Sequence, residues 1–385
     1  MTEVGAILVW VGAGLVLYVY LGYPLLLSIL ERAFRRPIRK AEITPTVTLV
    51  ISAFDEARCI GEKLENTLAL DYPKDRLEVL VVSDASTDET DHIVAGFFDR
   101  GITLLRMPER RGKTAGLNAA LRLVRGEIVV FSDANIRYAK DAIRHLVRAF
   151  ADPTVGCVTG DSRYSDGRGG SAAHAQEDTY WGYERLIRRL ESGLGSTVGG
   201  DGAIFAIRGA LYTPLAPEAI NDLVTPLQIV ARGYRAVFEP HAVGVEPSTG
   251  DFWREFRRKR RIVNRSWHGV MSVPAVLDPR RVGLFAWQVW SHKVLRWLLL
   301  PALIVTAAGC ILASPRGSMY QAGVWLFAAT LVLAGLGAVT PGRVGRIARL
   351  VHGAFYFYLV NVAATLGIAM AVCGRVETVW RSERA

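Results

Sequence analysis

The chain has 385 residues, a formal net charge of +10 at pH 7 and a hydrophobic fraction of 51%. Its mean hydropathy of +0.23 is high for a purely soluble protein, and its apolar residues form a few long runs, which indicates membrane segments. The four cysteines are scattered without metal-ligand spacing, which is typical of reduced structural thiols. Basic residues lie beside the apolar runs, so positive-inside anchoring explains the charge better than a nucleic-acid partner, and no nucleic acid is expected.

The first predicted element is an apolar, uncharged segment over residues 4–30, which is long enough to cross a bilayer. Its basic flank, which includes Arg32, Arg35 and Lys40, follows the apolar run instead of preceding it. That order is typical of an uncleaved helix whose carboxyl end lies in the cytosol, and not of a secretory signal. Residues 1–40 are therefore predicted to be an N-terminal transmembrane helix with a basic cytosolic flank.

Residues 41–280 show alternating strand and helix patterns. Short apolar runs rich in β-branched residues predict strands, and apolar residues at helical spacing predict the helices between them. The predicted strands cover residues 47–53, 77–83, 102–107 and 127–132, and the predicted helices cover 55–70, 87–98, 113–124 and 140–151. This order predicts an α/β domain with a mixed, mostly parallel sheet that is covered by helices on both faces.

The alternating pattern weakens beyond residue 156. Residues 161–175 are rich in Gly, Ser and Arg, which predicts a mobile loop. Further helices are predicted over residues 177–193 and 222–232, with a short strand at 203–208.

The chain becomes apolar again towards its C-terminal end. Residues 281–296 predict an amphipathic interfacial helix, on which His292 and Lys293 serve as membrane-interface anchors. Residues 297–385 predict a C-terminal transmembrane region of about three helices and a tail. The apolar runs that predict these helices cover residues 297–313, 320–340 and 350–373. Four crossings would leave the tail outside the cytosol, whereas its basic residues favour the inside, and the sequence leaves both orientations open.

Acidic and amide side chains follow predicted strands at the points where these strands end. Asp84 follows the second strand, and Asp133 and Asn135 follow the strand at 127–132. Ligands of open α/β sheets bind at the carboxyl ends of the strands, so Asp133 is well placed to hold a metal ion. Asp and Asn are also common turn residues, which is the simpler interpretation of each position taken alone.

Basic residues and a later acid add to this pattern. Lys113 opens a predicted helix, where backbone N–H groups and a cation can meet a phosphate. Asp222 also lies at a helix start, where it is either an N-cap or a reactive acid. The basic run over residues 254–265 suits a diphosphate, anionic lipid headgroups or both. Together these groups suit a reaction with a diphosphate leaving group and a hydroxyl that must lose its proton.

Seven motifs follow one another between about residues 47 and 267. They are, in order, FDE, VVSDASTDET, GKTAGLN, FSDAN, GDGAIFAIR, NDLVTPL and RRKRRIVNR. Each motif is weak by itself, but the ordered set resembles the family 2 inverting glycosyltransferases, in the membrane-integrated branch that includes cellulose, chitin and hyaluronan synthases. The resemblance implies a GT-A, Rossmann-like domain flanked by transmembrane helices.

The resemblance also implies roles for the residues at the strand ends. Glu56 and Asp84 would contact the nucleoside of a UDP-sugar, and Lys113 would help to bind this donor. Asp133 and Asn135 occupy the family's metal-binding positions, for Mg²⁺ or Mn²⁺ bound against the diphosphate. Asn135 stands where the family has a second Asp, which removes a charge but keeps an oxygen ligand.

Three later residues match the family's catalytic and donor-binding motifs. Asp222 stands where the family has its general base. Arg258 and Arg261 fall on the Gln and Arg of the QxxRW motif and would contact the donor.

The acceptor side departs from the family pattern. Ile262 stands where the family has the Trp that packs against the acceptor sugar. Trp181 and Trp267 are therefore candidate acceptor-side residues. Asp201 either faces the acceptor or shapes a glycine turn.

We therefore expect an integral protein of the cytoplasmic membrane whose catalytic domain faces the cytosol. The expected function is inverting transfer of a sugar from a UDP-sugar to a growing polysaccharide, coupled to export. One alternative is the addition of a single sugar to a lipid-linked acceptor, and another is an inactive membrane scaffold or a sugar-sensing subunit. Membrane lipid is an expected partner, and a homo-oligomer or an export subunit remains open.

Overall fold

The fold is described from a computed structural model, which covers residues 1–165, 172–247, 252–340 and 345–376, without the side chains of 164–165, 172–180 and 346. The strands are β1 (Val47–Ala53), β2 (Leu77–Ser83), β3 (Ile102–Arg106), β4 (Ile128–Asp133), β5 (Arg137–Tyr138), β6 (Val155–Ser165), β7 (Ile204–Arg208) and β8 (Arg235–Pro247). The helices of the first two thirds of the chain are α1 (Thr2–Leu17), α2 (Tyr23–Phe34), α3 (Ile60–Leu68), α4 (Thr90–Ala95), α5 (Lys113–Ala120), α6 (Ala142–Arg148), α7 (Ala172–Leu194), α8 (Asn221–Ala231) and α9 (Phe252–Ser272). The later helices are α10 (Pro279–Val282), α11 (Leu284–Val289), α12 (Leu295–Trp297), α13 (Leu299–Ala313), α14 (Ser318–Val339) and α15 (Arg346–Val372).

The strands form one twisted sheet in the order β3-β2-β1-β4-β7-β6-β8-β5. Strands β3, β2, β1 and β4 run parallel to one another, and β7 is antiparallel to both β4 and β6. Strand β8 pairs parallel with β6, so the sheet is mixed but mostly parallel, as the sequence predicted. The continuous apolar runs of β1 and β4 fit their central positions, because a strand that is covered on both faces has no polar face.

Sequence patterning missed β6 and β8. Strand β6 contains glycines and polar residues, and its pairing with β8 shifts register near Gly156 and Gly160. At Gly160, an added Cβ would lie 2.5 Å from the backbone oxygen of Ala242, so the two strands approach closely there. The loop predicted over residues 161–175 is therefore wrong at its start, which belongs to β6, and at its end, which belongs to α7. Residues 166–171 lie outside the described part of the chain.

Four helical segments are long and apolar enough to cross a membrane, by length and composition, among the residues searched. They cover Thr2–Phe34, Leu299–Arg316, Ser318–Val339 and Ile347–Val372. The first is continuous through a π-helical turn at Tyr18–Gly22, and it packs against α13 by way of glycines. A Cβ at Gly12 would lie 2.2 Å from the Thr306 hydroxyl, so only glycine allows this approach. The tail from residue 377 onward, on which the two orientations depend, is outside the described residues.

Candidate active site

A cavity of about 380 Å³ lies at the carboxyl ends of β1, β2 and β4. The predicted residues that line it are Glu56, Asp84, Lys113, Asp133, Asn135, Trp181, Asp201, Asp222, Arg258 and Arg261. The three acids at positions 84, 133 and 222, which are far apart in the chain, thus share one cleft. This convergence is what a parallel sheet produces, because its strands end at one edge.

Asp84 holds the loop that precedes α5. Its two carboxylate oxygens accept hydrogen bonds from the backbone N–H groups of Arg111 (2.9 Å) and Gly112 (2.8 Å). Gly112 has φ of 87°, a backbone conformation that favours glycine. The carboxylate therefore fixes the backbone immediately before Lys113, and the buried position of Asp84 at the cavity wall still allows contact with a ligand.

Lys113 and Asp133 form an ion pair inside the cavity. The Lys113 ammonium lies 2.5 Å from Asp133 Oδ1 and also donates to the backbone oxygen of Gly202 (3.1 Å). The side chains of Lys113 and Asp133 are 27% and 37% exposed, so a ligand in the cavity can reach both groups. This pair compensates the charge of Asp133 without a metal, and it joins the β4 end to the glycine stretch before β7.

Asn135 is oriented by an acid that the sequence analysis did not single out. Its amide nitrogen donates to Glu246 Oε2 at 3.1 Å, and Glu246 is a buried residue of β8 that also lines the cavity. Because the amide nitrogen is used in this way, the amide oxygen of Asn135 is the atom available to a cation.

The residues at this edge fit a divalent cation that is shared with a diphosphate. In the residues searched, no group of three His, Cys, Asp or Glu side chains could hold a metal by itself. One carboxylate, from Asp133, and one amide oxygen, from Asn135, match the way Mg²⁺ is bound by one or two protein ligands with phosphates and water.

Asp222 is a half-buried acid at the start of α8. It is the second residue of α8 and makes no capping hydrogen bond, so the N-cap interpretation is wrong. Its Oδ1 is buried without a hydrogen-bond partner among the described residues. Burial raises the pKa of Asp222 above the ordinary value; Lys113 opposes this change, and the Asp201 carboxylate adds to it.

The glycine stretch before β7 packs directly on Asp222. The backbone N–H of Gly200 donates to the backbone oxygen of Asp222 at 2.6 Å. A Cβ at Gly202 would lie 2.7 Å from Asp222 Oδ2, so a larger residue there would displace the carboxylate. The motif GDGAIFAIR thus shapes the pocket around the candidate base.

Asp201 is held by side chains of β6 and α7. It accepts hydrogen bonds from the Ser162 hydroxyl (2.7 Å) and from Arg188 (3.4 Å), and its other oxygen accepts from the Ala203 N–H (3.2 Å). These contacts close the glycine turn, and Asp201 also lines the cavity, so both interpretations of this residue remain compatible with its position.

The basic helix α9 presents several cations to the cavity. Arg258 and Lys259 both pair with Glu255, at 2.7 and 3.6 Å. Burial raises the pKa of Glu255, but Arg258 and Lys259 outweigh this effect and lower that pKa to about 2. Arg265 donates to the backbone oxygens of Glu218 and Ala219, which ties α9 to the segment before α8. The run is therefore turned towards the protein at these positions.

The two candidate tryptophans differ in position. Trp181 of α7 lines the cavity, with the Lys259 ammonium 5.8 Å from its ring centroid. Trp267 does not line the cavity: its ring packs near Trp297, with 6.3 Å between the centroids. Trp267 as an acceptor-side residue is therefore a wrong prediction. Its place on the opposite side of α9 follows from helical periodicity, since it lies nine residues, about two and a half turns, beyond Arg258.

A buried charged network lies beside the cavity, where α7 meets the segment before α13. His292 is buried between two glutamates, with Nδ1 2.8 Å from Glu191 Oε1 and Nε2 3.1 Å from Glu184 Oε2. Tyr23 of α2 donates to Glu191 at 2.5 Å, and Arg296 donates to Glu184. The prediction that His292 is an interface anchor is wrong, because it joins three helical segments inside the protein.

This network keeps its glutamates ionised. Burial raises the pKa of Glu184, but Arg296 and His292 together hold that pKa well below its ordinary value. Burial likewise raises the pKa of Glu191, but His292 and Tyr23 outweigh this effect, so that pKa is also lowered. Each ring nitrogen of His292 faces the carboxylate oxygen of a different glutamate, so the ring joins Glu184 and Glu191.

Three cavity residues gave no signal in the sequence, namely Glu184, Arg188 and Glu246. Lys259 and Arg265 also line the cavity and belong to the basic run over residues 254–265, and Lys293 was predicted only as an interface anchor. Glu184 and Arg188 lie on one helical face of α7, four residues apart, so helical spacing relates them to Trp181 once that helix is known. Glu246 had no such signal, because β8 was not predicted.

Comparison with known proteins agrees with this geometry. The solved structure of the mannosyltransferase PcManGT from Pyrobaculum calidifontis, in complex with GDP-Man and Mn²⁺, is 27% identical, with a TM-score of 0.70 over 95% of this chain and 99% of that one. The sheet and the acids at its edge therefore define a GT-A fold, as the sequence predicted.

The family assignment rests on sequence. Residues 48–211, which are less than half of the chain, match the family model described as Glycosyl transferase family 2, so the resemblance predicted from the motifs is confirmed for this stretch.

Two curated relatives cover shorter stretches. A beta-monoglucosyldiacylglycerol synthase from Nostoc sp. is 35% identical over 30% of this chain and 25% of its own length. A poly-beta-1,6-N-acetyl-D-glucosamine synthase from Staphylococcus aureus is 26% identical over 54% of this chain and 52% of its own length. The chain thus spans about half or less of the length of these relatives.

Proposed function

We propose that this protein is a membrane-embedded, inverting glycosyltransferase that uses a nucleoside diphosphate sugar. The observation that carries the proposal is the shared cavity, in which Asp84, Asp133 and Asp222 face the cations of α5 and α9. Fixed cations beside a carboxylate-bound metal suit a departing diphosphate, and a desolvated carboxylate suits proton abstraction.

In the proposed reaction, Asp222 takes the proton of an acceptor hydroxyl. The hydroxyl oxygen then forms a bond to the anomeric carbon of the donor sugar, from the face opposite the diphosphate. The bond between that carbon and the diphosphate oxygen breaks, and its electron pair leaves with the nucleoside diphosphate. A single displacement inverts the configuration, and the raised pKa of Asp222 makes it a stronger base than an exposed aspartate.

The donor end of the cavity is assigned to the strand ends. Asp133 and Asn135 would hold Mg²⁺ or Mn²⁺, which supplies charge to neutralise the diphosphate when bound. Lys113, Arg258 and Arg261 would add positive charge around the leaving group. Glu56 and Asp84 would contact the nucleoside, which we expect to be uridine, whereas the solved neighbour PcManGT holds GDP-Man.

The acceptor is proposed to be membrane-bound. Two observations favour the lipid-linked acceptor over the growing polysaccharide that the sequence analysis put first. Ile262 lines the cavity where the polymer synthases have a sugar-stacking tryptophan. The cavity wall also includes Lys293, which lies shortly before the candidate membrane span that starts at Leu299. The basic residues after the first span support a catalytic domain that faces the cytosol at the cytoplasmic membrane.

The test is release of nucleoside diphosphate by the full-length protein across UDP- and GDP-sugars, with and without Mg²⁺ or Mn²⁺. We expect metal-dependent release, and we expect Asp222→Asn to lower turnover by about 10²- to 10⁴-fold with donor affinity unchanged. The exposed Asp75→Asn serves as the matched control. If no donor is consumed with either metal, the inactive scaffold or sensing subunit is the better assignment. If Asp222→Asn keeps near wild-type turnover, Asp222 is not the general base.

A further inference from the structure

Lys293 differs from the other basic side chains of the cavity. Within the described residues, its ammonium has no hydrogen-bond or ion-pair partner, although it lines the same cavity as Asp222. The other cavity cations all have partners. Lys113 pairs with Asp133, Arg188 with Asp201, Arg258 and Lys259 with Glu255, Arg265 binds backbone oxygens, and Arg261 is also engaged. The charge of Lys293 acts on Glu184 at longer range, but among the described cations of the cavity its ammonium is the one without a hydrogen bond or close ion pair.

The backbone that carries Lys293 is held firmly. Lys293 belongs to a π-helical turn, Trp290–Val294. The preceding residue of the same turn, His292, is held between Glu184 and Glu191. Both oxygens of Glu184 already accept hydrogen bonds, one from His292 and one from Arg296. The nearest acids therefore serve the clamp, and Lys293 is presented to the cavity as a half-buried cation.

The position of Lys293 along the chain adds a second constraint. It precedes the first residue of the candidate span Leu299–Arg316 by six residues. The chain between them is helical except for a break at Leu298, so at about 1.5 Å per helical residue Lys293 lies about 9 Å from the apolar segment. That distance corresponds to the headgroup region of a bilayer, where lipid phosphates lie.

We propose that Lys293 binds the phosphate group of a lipid-linked acceptor while a hydroxyl of the same acceptor reaches Asp222. This inference rests on the proposed function and specifies its acceptor. A partly desolvated ammonium gains most from an anionic ligand, because charge-assisted hydrogen bonds are the stronger ones. A neutral diacylglycerol or an uncharged polysaccharide would offer this ammonium no anion to bind within the cavity.

Binding measurements on the full-length protein in detergent test the proposal without turnover. The probes are farnesyl phosphate, its uncharged counterpart farnesol, and inorganic phosphate. We expect the wild-type protein to bind farnesyl phosphate at least about tenfold more tightly than farnesol, as a charge-assisted contact provides. Lys293→Met should lose this preference while its affinity for farnesol stays unchanged, and Lys293→Arg should keep most of the preference. Arg280→Met, at an exposed cation outside the cavity, should behave as wild type.

Four outcomes would overturn the proposal. In the first, the wild-type protein shows no preference for farnesyl phosphate over farnesol. In the second, Lys293→Met lowers the affinity for farnesol as much as that for farnesyl phosphate, which indicates a structural role. In the third, Lys293→Met lowers the affinity for the sugar donor equally, which assigns Lys293 to donor binding. Inorganic phosphate that binds as tightly as farnesyl phosphate would identify a free-phosphate site instead. These readouts are separate from nucleoside diphosphate release, so failure of the proposed activity and failure of this acceptor assignment are distinguishable.

Discussion

The two walls of the cavity are built by different means. The donor wall consists of the ends of β1, β2 and β4, and its acids are held by nearby backbone N–H groups and by Lys113. The opposite wall consists of α7, α9 and the segment before α13, and it includes charges that are paired across segments more than a hundred residues apart, as in Glu184 with His292. The donor wall thus depends on local motifs. The opposite wall, which we call the acceptor wall, depends on how its helices pack against the rest of the protein.

This difference has a consequence for stability. Asp133 and Lys113 are partly exposed, so solvent screens their interaction and either group can change partner when a ligand binds. His292, Glu184 and Glu191 are almost fully buried, so each charge there requires its partners. We therefore expect mutations of the donor wall to alter ligand binding, and mutations of the acceptor wall to alter folding as well.

The largest effect is expected for Glu184→Gln. Removal of one carboxylate leaves His292 and Arg296 without a buried counter-charge, and we expect a loss of about 3 to 5 kcal/mol in the free energy of unfolding. The matched control is Glu62→Gln, which breaks an exposed pair with Arg137 (2.7 Å) and should cost less than about 1 kcal/mol. Thermal unfolding in detergent measures the stability of both variants. Equal losses would mean that the burial of Glu184 does not increase the cost of removing its charge.

An opposite effect is expected for Lys63→Met, beneath the donor wall. The Lys63 ammonium is buried over the Tyr138 ring, and burial lowers its pKa to about 7 from 10.5. Between pH 7 and pH 10.5, Lys63 is protonated in the unfolded chain but not in the folded protein. Lys63 therefore lowers the free energy of unfolding by its full amount below about pH 7, and it has no such effect above about pH 10.5. The variant should be more stable by on the order of 2 to 4 kcal/mol at pH 7.

The measurement is unfolding of Lys63→Met and of the exposed control Lys74→Met across this pH range. The advantage of Lys63→Met should shrink steadily as the pH rises from about 7 to about 10.5. A gain that does not vary with pH would reject a titrating Lys63 and leave packing as the explanation.

A smaller effect is expected for Glu246→Gln, which acts on the donor wall from a distant strand. Loss of the carboxylate weakens the hydrogen bond that orients Asn135, and supporting residues of this kind typically change metal affinity by about tenfold. Titration of Mn²⁺ by electron paramagnetic resonance measures the affinity directly. Glu239→Gln, a buried acid of the same strand that does not line the cavity, is the control; equal loss in both variants would argue against a local role.

The smallest effect is expected for Asp201→Asn. The Asp201 carboxylate helps to raise the pKa of Asp222, so its removal should lower that pKa and move the acid limb of the pH–rate profile to lower pH. We expect a shift below about one pH unit, since the carboxylate is one of several causes. A limb that moves to higher pH, or stays in place, would mean that Asp201 acts only through the glycine turn.

The sequence by itself determined the donor wall and the membrane segments. Strands such as β1 and β4 are continuous apolar runs that end in acids, so both the element and its functional residue are encoded locally. The four spans follow from length and hydropathy alone.

Only the tertiary structure decided the acceptor wall. Strands β6 and β8 carry glycines and polar residues whose pairing compensates for weak local propensity, so Glu246 could not be assigned. His292 and Lys293 are adjacent, but the packing of α7 against α2 buries one between two glutamates and leaves the other facing the cavity. Trp267 lies on the face of α9 that packs near Trp297, away from the cavity. Residue type and spacing specify which groups are available, whereas the docking of helices determines which of them face the ligand.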